Sequence, residues 1–361
     1  MVRGVYTAQT MMGWSPPPSA PSPPMLDTVL SYVPTRILSA LLLAFALDLV
    51  RRQFFLKKRS FKDKHVLVTG GSQGIGKALA EQLLAKGARV TLLARTAATL
   101  DKAVGELKSK REGASVQSVS ASITDYSALK AAVAKASSSF GPVEVLVCCA
   151  GSADTGLFLH TEPDVYSTAM DRNYAGTVKS IKAVIDGMVS RRDGQIIIVG
   201  SVMSVIGFMG YSSYAPTKWA LRGLADSLRN ELTGFGITIQ IAYPPDTDTP
   251  GFENENKTKP IETIKMVPPD VFPAESVAST MLSGAEAGLY HLPGPDPGLN
   301  LFCSMRFGVS PRGYLFVTAL LHTLMPLWTL AEGLVTAQWF DMWGRSYAAR
   351  HDAEVKAGKK D

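Results

Sequence analysis

Six short runs of β-branched and aliphatic residues recur between Lys62 and about Leu292, with stretches of helical length between them. His65–Thr69, Arg89–Leu93, Ser115–Ser120, Val143–Val147, Gln195–Val199 and Thr238–Ala242 read as buried strands. Gly76–Lys86, Ser127–Ser138 and Thr217–Leu232 read as helices among them. Parallel strands need a long crossover, and a helix is the usual one. The alternation therefore predicts βαβ units, an α/β fold with a doubly wound parallel sheet covered on both faces. No other feature restricts the chain as strongly.

Composition narrows what surrounds that sheet. The chain has 361 residues, 46% of them hydrophobic, and charged residues make up 19%. That length suits one domain with appendages or two smaller domains. Disorder throughout is excluded, and so is a disulfide scaffold, because Cys148, Cys149 and Cys303 are the only cysteines. The net charge of +6 is spread out, with no Lys/Arg stripe interleaved with aromatics, so no nucleic-acid partner is expected.

The surplus of apolar residues lies outside the alternating region. Residues 1–30 form a disordered Pro-rich tail, with six prolines in Ser15–Pro24, a spacer or a ligand for a proline-binding partner. Residues 31–58 contain the apolar run Ile37–Val50, followed by Arg51, Arg52, Lys57, Lys58 and Arg59. A bilayer span needs about 20 apolar residues, so this run is shorter than a full span. Its basic flank fits a membrane anchor beside anionic cytosolic lipid; a buried core helix is the alternative. Residues 59–297 hold the single α/β domain. Residues 298–361 are apolar up to Trp343, with Tyr314–Ala331 broken by Pro326, and suit membrane association or dimer packing.

The chemistry is concentrated in three places. Thr69-Gly70-Gly71-Ser72-Gln73-Gly74-Ile75-Gly76 ends the first strand and opens a helix. In that context glycines allow a tight turn and bring a pyrophosphate to the helix N-terminus. Gly70, Ser72, Gln73, Gly74, Ile75 and Gly76 are the candidate phosphate cradle. Arg95 ends the second strand, and no acid occurs from Arg89 to Thr99. An acid there would bind the 2′-hydroxyl of NAD, whereas Arg suits a 2′-phosphate, so NADPH is the expected cofactor. Finally, Tyr214 and Lys218 lie one helical turn apart, with Ser201 thirteen residues upstream, just after a strand. An ammonium beside a phenol favours phenolate, which would let Tyr214 exchange a proton with a carbonyl oxygen that Ser201 orients.

Together these motifs resemble the short-chain dehydrogenase/reductase family over roughly Lys62 to Leu292. The resemblance implies a Rossmann-like sheet, Tyr214 as acid, Lys218 as its partner and ribose contact, and Asn173 as a proton relay. It also implies cofactor contacts from Ala150 and Gly151, from Thr247 and Thr249, and near Ser122. Three departures stand out: Cys148-Cys149 replaces an Asn pair, Pro245 replaces a Gly, and Ser122 replaces an Asp. The cysteines read as small buried hydrophobes or as a redox pair.

Within that family, Ala242-Tyr243-Pro244-Pro245-Asp246-Thr247-Asp248-Thr249-Pro250-Gly251-Phe252 and Asn256–Pro260 are similar to the 3-ketodihydrosphingosine reductases. The group implies NADPH-dependent reduction of a long-chain sphingoid ketone at the endoplasmic reticulum membrane, with the catalytic domain facing the cytosol. Membrane lipid is then an expected partner. A homodimer or homotetramer is implied, through the stretches Thr161–Ser190 and Thr217–Leu232. The segment Phe252–Phe272 suits a lid, and Asp246 or Asp248 could pair with a substrate ammonium or cap a turn. The alternatives are another lipid ketone, such as a steroid or retinoid, and a non-catalytic NADP-binding scaffold.

Overall fold

The computed structural model describes residues 58–266, 270–306 and 337–357, together with Ser39, Leu42, Leu43, Ala46 and Val50. A seven-stranded parallel sheet runs through it in the order β3-β2-β1-β4-β5-β6-β9. Its strands are β1 (His65–Thr69), β2 (Arg89–Ala94), β3 (Val116–Ser120), β4 (Val145–Cys148), β5 (Gly194–Val199), β6 (Ile237–Ala242) and β9 (His291–Leu292). The six expected strands are present with ends shifted by no more than two residues. The seventh, β9, is only two residues long and leaves no periodic trace in the sequence.

Side chains alternate across each strand and feed two separate cores. Val66 and Val68 of β1 point to one face, where they meet Leu79 and Leu83 of α1 (Gly74–Ala85). The same core takes Leu100 and Leu107 of α2 (Ala97–Lys110) and Met281 of the helix 274–286. Leu67 points the other way, toward Leu129 of α3 (Tyr126–Phe140) and toward Met188 and Leu221. The second face is completed by α4 (Pro163–Met170), α5 (Gly176–Lys182), α6 (Ile185–Arg191) and α7 (Ala215–Leu232). Helices on both faces explain why strands such as Gln195–Val199 read as nearly continuous apolar runs.

After β6 the chain forms a two-residue ladder of β7 (Thr247–Asp248) with β8 (Phe272–Pro273), flanking α8 (Pro250–Asn256) and α9 (Ile261–Met266). It then continues as α10 (Ala274–Glu286), α11 (Pro297–Met305) and, farther on, α12 (Ala337–Lys356). Core packing continues past residue 297, because Cys303 of α11 is buried in the second core.

Two findings concern the flanks. Arg59 is not part of a lipid-facing basic cluster: it pairs with Asp193 at 2.8 Å, donates to Thr238 Oγ1 and the Gly236 carbonyl, and is 11% exposed. Arg51, Arg52, Lys57 and the run Tyr314–Ala331 lie outside the described residues. Among the described residues no helix is long and apolar enough to cross a membrane.

Candidate active site

Strand order reverses between β1 and β4, so their following loops diverge and leave a crevice at the C-terminal edge of the sheet. A cavity of about 1210 Å³ occupies it. Gly70, Ser72, Gln73, Gly74, Ile75, Gly76, Arg95, Ser122, Ala150, Gly151, Ser201, Tyr214, Lys218, Thr247 and Thr249 all line this cavity. Asn173 does not.

The β1–α1 loop is shaped by what cannot be accommodated there. Gly70 has φ +68°, and a Cβ on it would stand 2.8 Å from the Ala150 Cα. A Cβ on Gly76 would come within 2.3 Å of the Gly70 carbonyl oxygen. The turn therefore stays tight only with hydrogen at both positions. The N-cap residue Gln73 makes no side-chain cap, and the first turn of α1 contains no acid. Its N–H groups and the positive end of the helix are thus left to the cavity, as a pyrophosphate requires. At the far end Arg95 is exposed, and among the described residues its guanidinium makes no ion pair. These residues fit NADPH: an anion-binding helix start, and a fixed cation for the 2′-phosphate.

Thr69 is a site residue that motif reading passes over. Its hydroxyl donates to the Val147 carbonyl at 3.3 Å and accepts from the N–H groups of Cys149 at 3.1 Å and Ala150 at 3.2 Å. It thereby ties β1 to the exit of β4, where the family's Asn is missing. The only sequence signal is a hydroxyl at the end of an apolar strand. Cys148 is fully enclosed and burial drives its thiol pKa up; burial also pushes Cys149 up to about 11. Cys148 is a buried thiol and Cys149 a half-buried one on the cavity wall, and both are held in the thiol form.

The proton-handling group is assembled from β5 and α7. Ser201 follows β5 and starts a 3-10 turn, accepting from Met203 N–H at 3.2 Å, while Ser204 Oγ accepts from Ser201 N–H. That capping box holds the Ser201 hydroxyl on the same cavity wall as the Tyr214 hydroxyl, close enough to pull the phenol pKa down. Lys218 donates to the Val199 carbonyl at 3.0 Å, and its Nζ lies 5.5 Å from the Tyr214 ring centroid. The electrostatics differ from the expectation that the Lys218 ammonium brings the phenol down. Burial and the Glu255 carboxylate raise the Tyr214 pKa, and the Ser201 hydroxyl opposes them. Lys218 itself is lowered by burial to about 8. The reason is burial, since desolvation penalises both charged forms.

Asn173 stands behind the cavity wall in a π turn, Asp171–Ala175. It accepts from Ser152 N–H at 3.1 Å and donates to the Ser152 carbonyl at 3.0 Å and to Thr217 Oγ1 at 3.1 Å. A Cβ on Gly151 would lie 3.0 Å from Asn173 Oδ1 and 3.8 Å from Lys218 Nζ, so amide and ammonium flank the same loop.

The segment after β6 is two short helices rather than an open loop. Thr155 Oγ1 donates to the Glu255 carbonyl at 2.8 Å and contacts Thr258 Oγ1 at 2.7 Å, and Thr263 donates to the Met209 carbonyl at 2.8 Å. These bonds pin α8 at the cavity wall and tie α9 to the Met209 turn. A second cavity of about 360 Å³, lined by Val202, Phe208, Leu299, Phe302 and Phe340 among others, is almost wholly apolar and begins one residue beyond Ser201.

The fold and cleft together define a nicotinamide-nucleotide oxidoreductase. Residues 64–260 match the short chain dehydrogenase family model, and the chain belongs to that family. It is 37% identical over 305 residues to a 3-dehydrosphinganine reductase of Danio rerio, covering 82% of this chain and 87% of the relative. A 3-ketodihydrosphingosine reductase of Dictyostelium discoideum is 34% identical over 319 residues, 81% of this chain and 91% of the relative. Among solved structures, a variant of actinorhodin polyketide ketoreductase with NADPH superposes with a TM-score of 0.59 at 25% identity, over 66% of this chain and 97% of that one.

Proposed function

We propose that this chain reduces the C3 ketone of 3-ketodihydrosphingosine to dihydrosphingosine, with NADPH, in sphingolipid synthesis. The observation that carries this reading is that the Ser201 and Tyr214 hydroxyls share one wall of the cleft, in a chain whose relatives are sphingoid-ketone reductases. Bound NADPH supplies the hydride. The chain's part is to position the ketone and deliver a proton. Ser201 donates a hydrogen bond to the ketone oxygen, and Tyr214 hands it a proton as negative charge develops. A phenol whose pKa is raised by burial stays protonated at neutral pH, which is the state a reduction needs. Lys218 would hold the ribose when the cofactor is bound, and its charge would stabilise the phenolate that remains; Asn173, bonded to Ser152 and Thr217 behind the same loop, would support return of the proton. The separate apolar cavity lined by Val202, Phe208 and Phe302 has the chemistry to take a long alkyl chain.

The same reading places the protein at the endoplasmic reticulum membrane with its catalytic domain toward the cytosol, in contact with membrane lipid and as a homodimer or homotetramer. Support for the membrane comes from Ile37–Val50, where Leu42, Leu43 and Val50 are helical and exposed. The test is NADPH oxidation by purified protein with 3-ketodihydrosphingosine beside a steroid ketone, with the product identified by mass. Formation of dihydrosphingosine, lost in Tyr214→Phe, is expected; strict preference for the steroid, or nucleotide binding without turnover, overturns it.

A further inference from the structure

Proton delivery from Tyr214 leaves unused three charged groups of the β6–α9 segment that sit close together, Asp246, Glu255 and Lys259. Asp246 and Glu255 line the same cavity as Tyr214, and both carboxylates act on its phenol. Glu255 is already engaged. It accepts from the Tyr211 hydroxyl and pairs with Lys259 at 3.3 Å. Lys259 is enclosed in turn, 4.6 Å from the Phe252 ring centroid and 5.8 Å from that of Tyr211. Asp246 is different: among the described residues its carboxylate accepts no hydrogen bond, and the charges acting on it are Lys259 and Glu255.

The one ammonium that acts on Asp246 is already paired with Glu255, so the half-buried Asp246 carboxylate lines the cavity without an ion pair of its own. It is not there to cap a turn, because Thr249 caps α8 by accepting from Phe252 N–H at 3.1 Å. Asp248, two residues on, is exposed and outside the cavity. The ketone of the proposed reaction carries an amine on the adjacent carbon, so the cation arrives next to the oxygen that Tyr214 protonates.

We propose that Asp246 is the counter-charge for the substrate ammonium and selects α-amino ketones over plain ketones, with Glu255 held back by Tyr211 and Lys259. This rests on the reductase reading above. Burial raises the Asp246 carboxyl to about 6, against the pull of Lys259, as fits an acid short of a cation.

The test compares kcat/KM for 3-ketodihydrosphingosine and for the same long-chain ketone lacking the amine, in the full chain and in Asp246→Asn, Asp246→Glu and Asp248→Asn. The unaltered protein should prefer the amino ketone. Asp246→Asn should lose roughly tenfold to a hundredfold on it, mainly through KM, with the amine-free ketone unaffected. Asp246→Glu should recover part of the preference, Asp248→Asn should match the unaltered protein, and NADPH binding should persist in all. Equal loss on both ketones overturns the proposal while leaving the reductase reading intact. So does an unaltered protein that treats the two ketones alike, even where the variant fails to fold. Turnover of neither ketone by the unaltered protein overturns the reductase reading and the proposal together.

Discussion

Tyr214 and Lys218 sit one turn apart, yet burial moves them in opposite directions, the phenol up and the ammonium down to about 8. Both shifts favour the neutral form, so Tyr214 is loaded with its proton and Lys218 is close to giving one up. Tyr214→Phe should lower kcat by about 10²–10⁴-fold while NADPH still quenches intrinsic fluorescence with unchanged Kd. The Lys218 shift also bears on stability. Its folded pKa is below the unfolded 10.5, so the unfolded chain holds more protons between about 8 and 10.5, and stability from this group rises with pH through that window. It is fully present above 10.5 and lost as pH falls through 8. Thermal unfolding of the unliganded protein should therefore show Lys218→Met gaining on the parent below pH 8, with the difference shrinking toward 10.5. The Tyr214–Lys218 spacing and Ser201 are legible in the sequence because each sits at an element boundary. The choice of Asp246 over Asp248 is not, since two acids two positions apart at a loop-to-strand junction differ only in where the folded backbone places them.

At the scale of elements, β5 and β6 are joined by more than their ladder. Gln195 donates to Gln240 at 2.7 Å, and Gln240 passes the chain on to the Leu289 carbonyl at 2.7 Å and the Ala285 carbonyl at 3.2 Å. All of this is buried, so Gln240→Leu strands the Gln195 amide and two carbonyls. A loss of about 1–3 kcal/mol is expected, read as a lower urea midpoint with unchanged m-value. The sequence displays the six long strands because their apolar runs are bounded by turn residues. It does not display β9 or the β7–β8 ladder, whose pairing is supplied entirely by neighbours. The stretch Phe252–Phe272 reads as polar and proline-broken, yet Thr249 and the bonds to Thr155 fold part of it into α8 and α9.

For the whole molecule, the question is where the catalytic body ends and its apolar flanks begin. Arg59 marks that point, since its guanidinium reaches Asp193, Thr238 and Gly236 at the base of β5 and β6. Arg59→Ala should cost about 1–3 kcal/mol in denaturant unfolding and leave membrane partition unchanged. Lys58→Ala, one residue earlier and exposed, should leave stability within about 0.5 kcal/mol of the parent. If the N-terminal apolar run holds the protein to the bilayer, replacing Leu42 and Leu43 with Asp should shift it from the sedimenting membrane fraction toward the supernatant. Retention on the membrane would assign that role to another part of the chain.

The sequence alone determined the sheet, the phosphate loop, the Tyr214–Lys218–Ser201 set and the expectation of NADPH. Each depends on residues close together in the chain, where periodicity and turn chemistry act locally. Only the tertiary structure decided that Thr69 ties β1 to the exit of β4, that Arg59 belongs to the core, and that Asp246 rather than Asp248 lines the cavity with Tyr214. Those outcomes depend on groups far apart in sequence, and on a burial that sets charge balance only after the strands have packed.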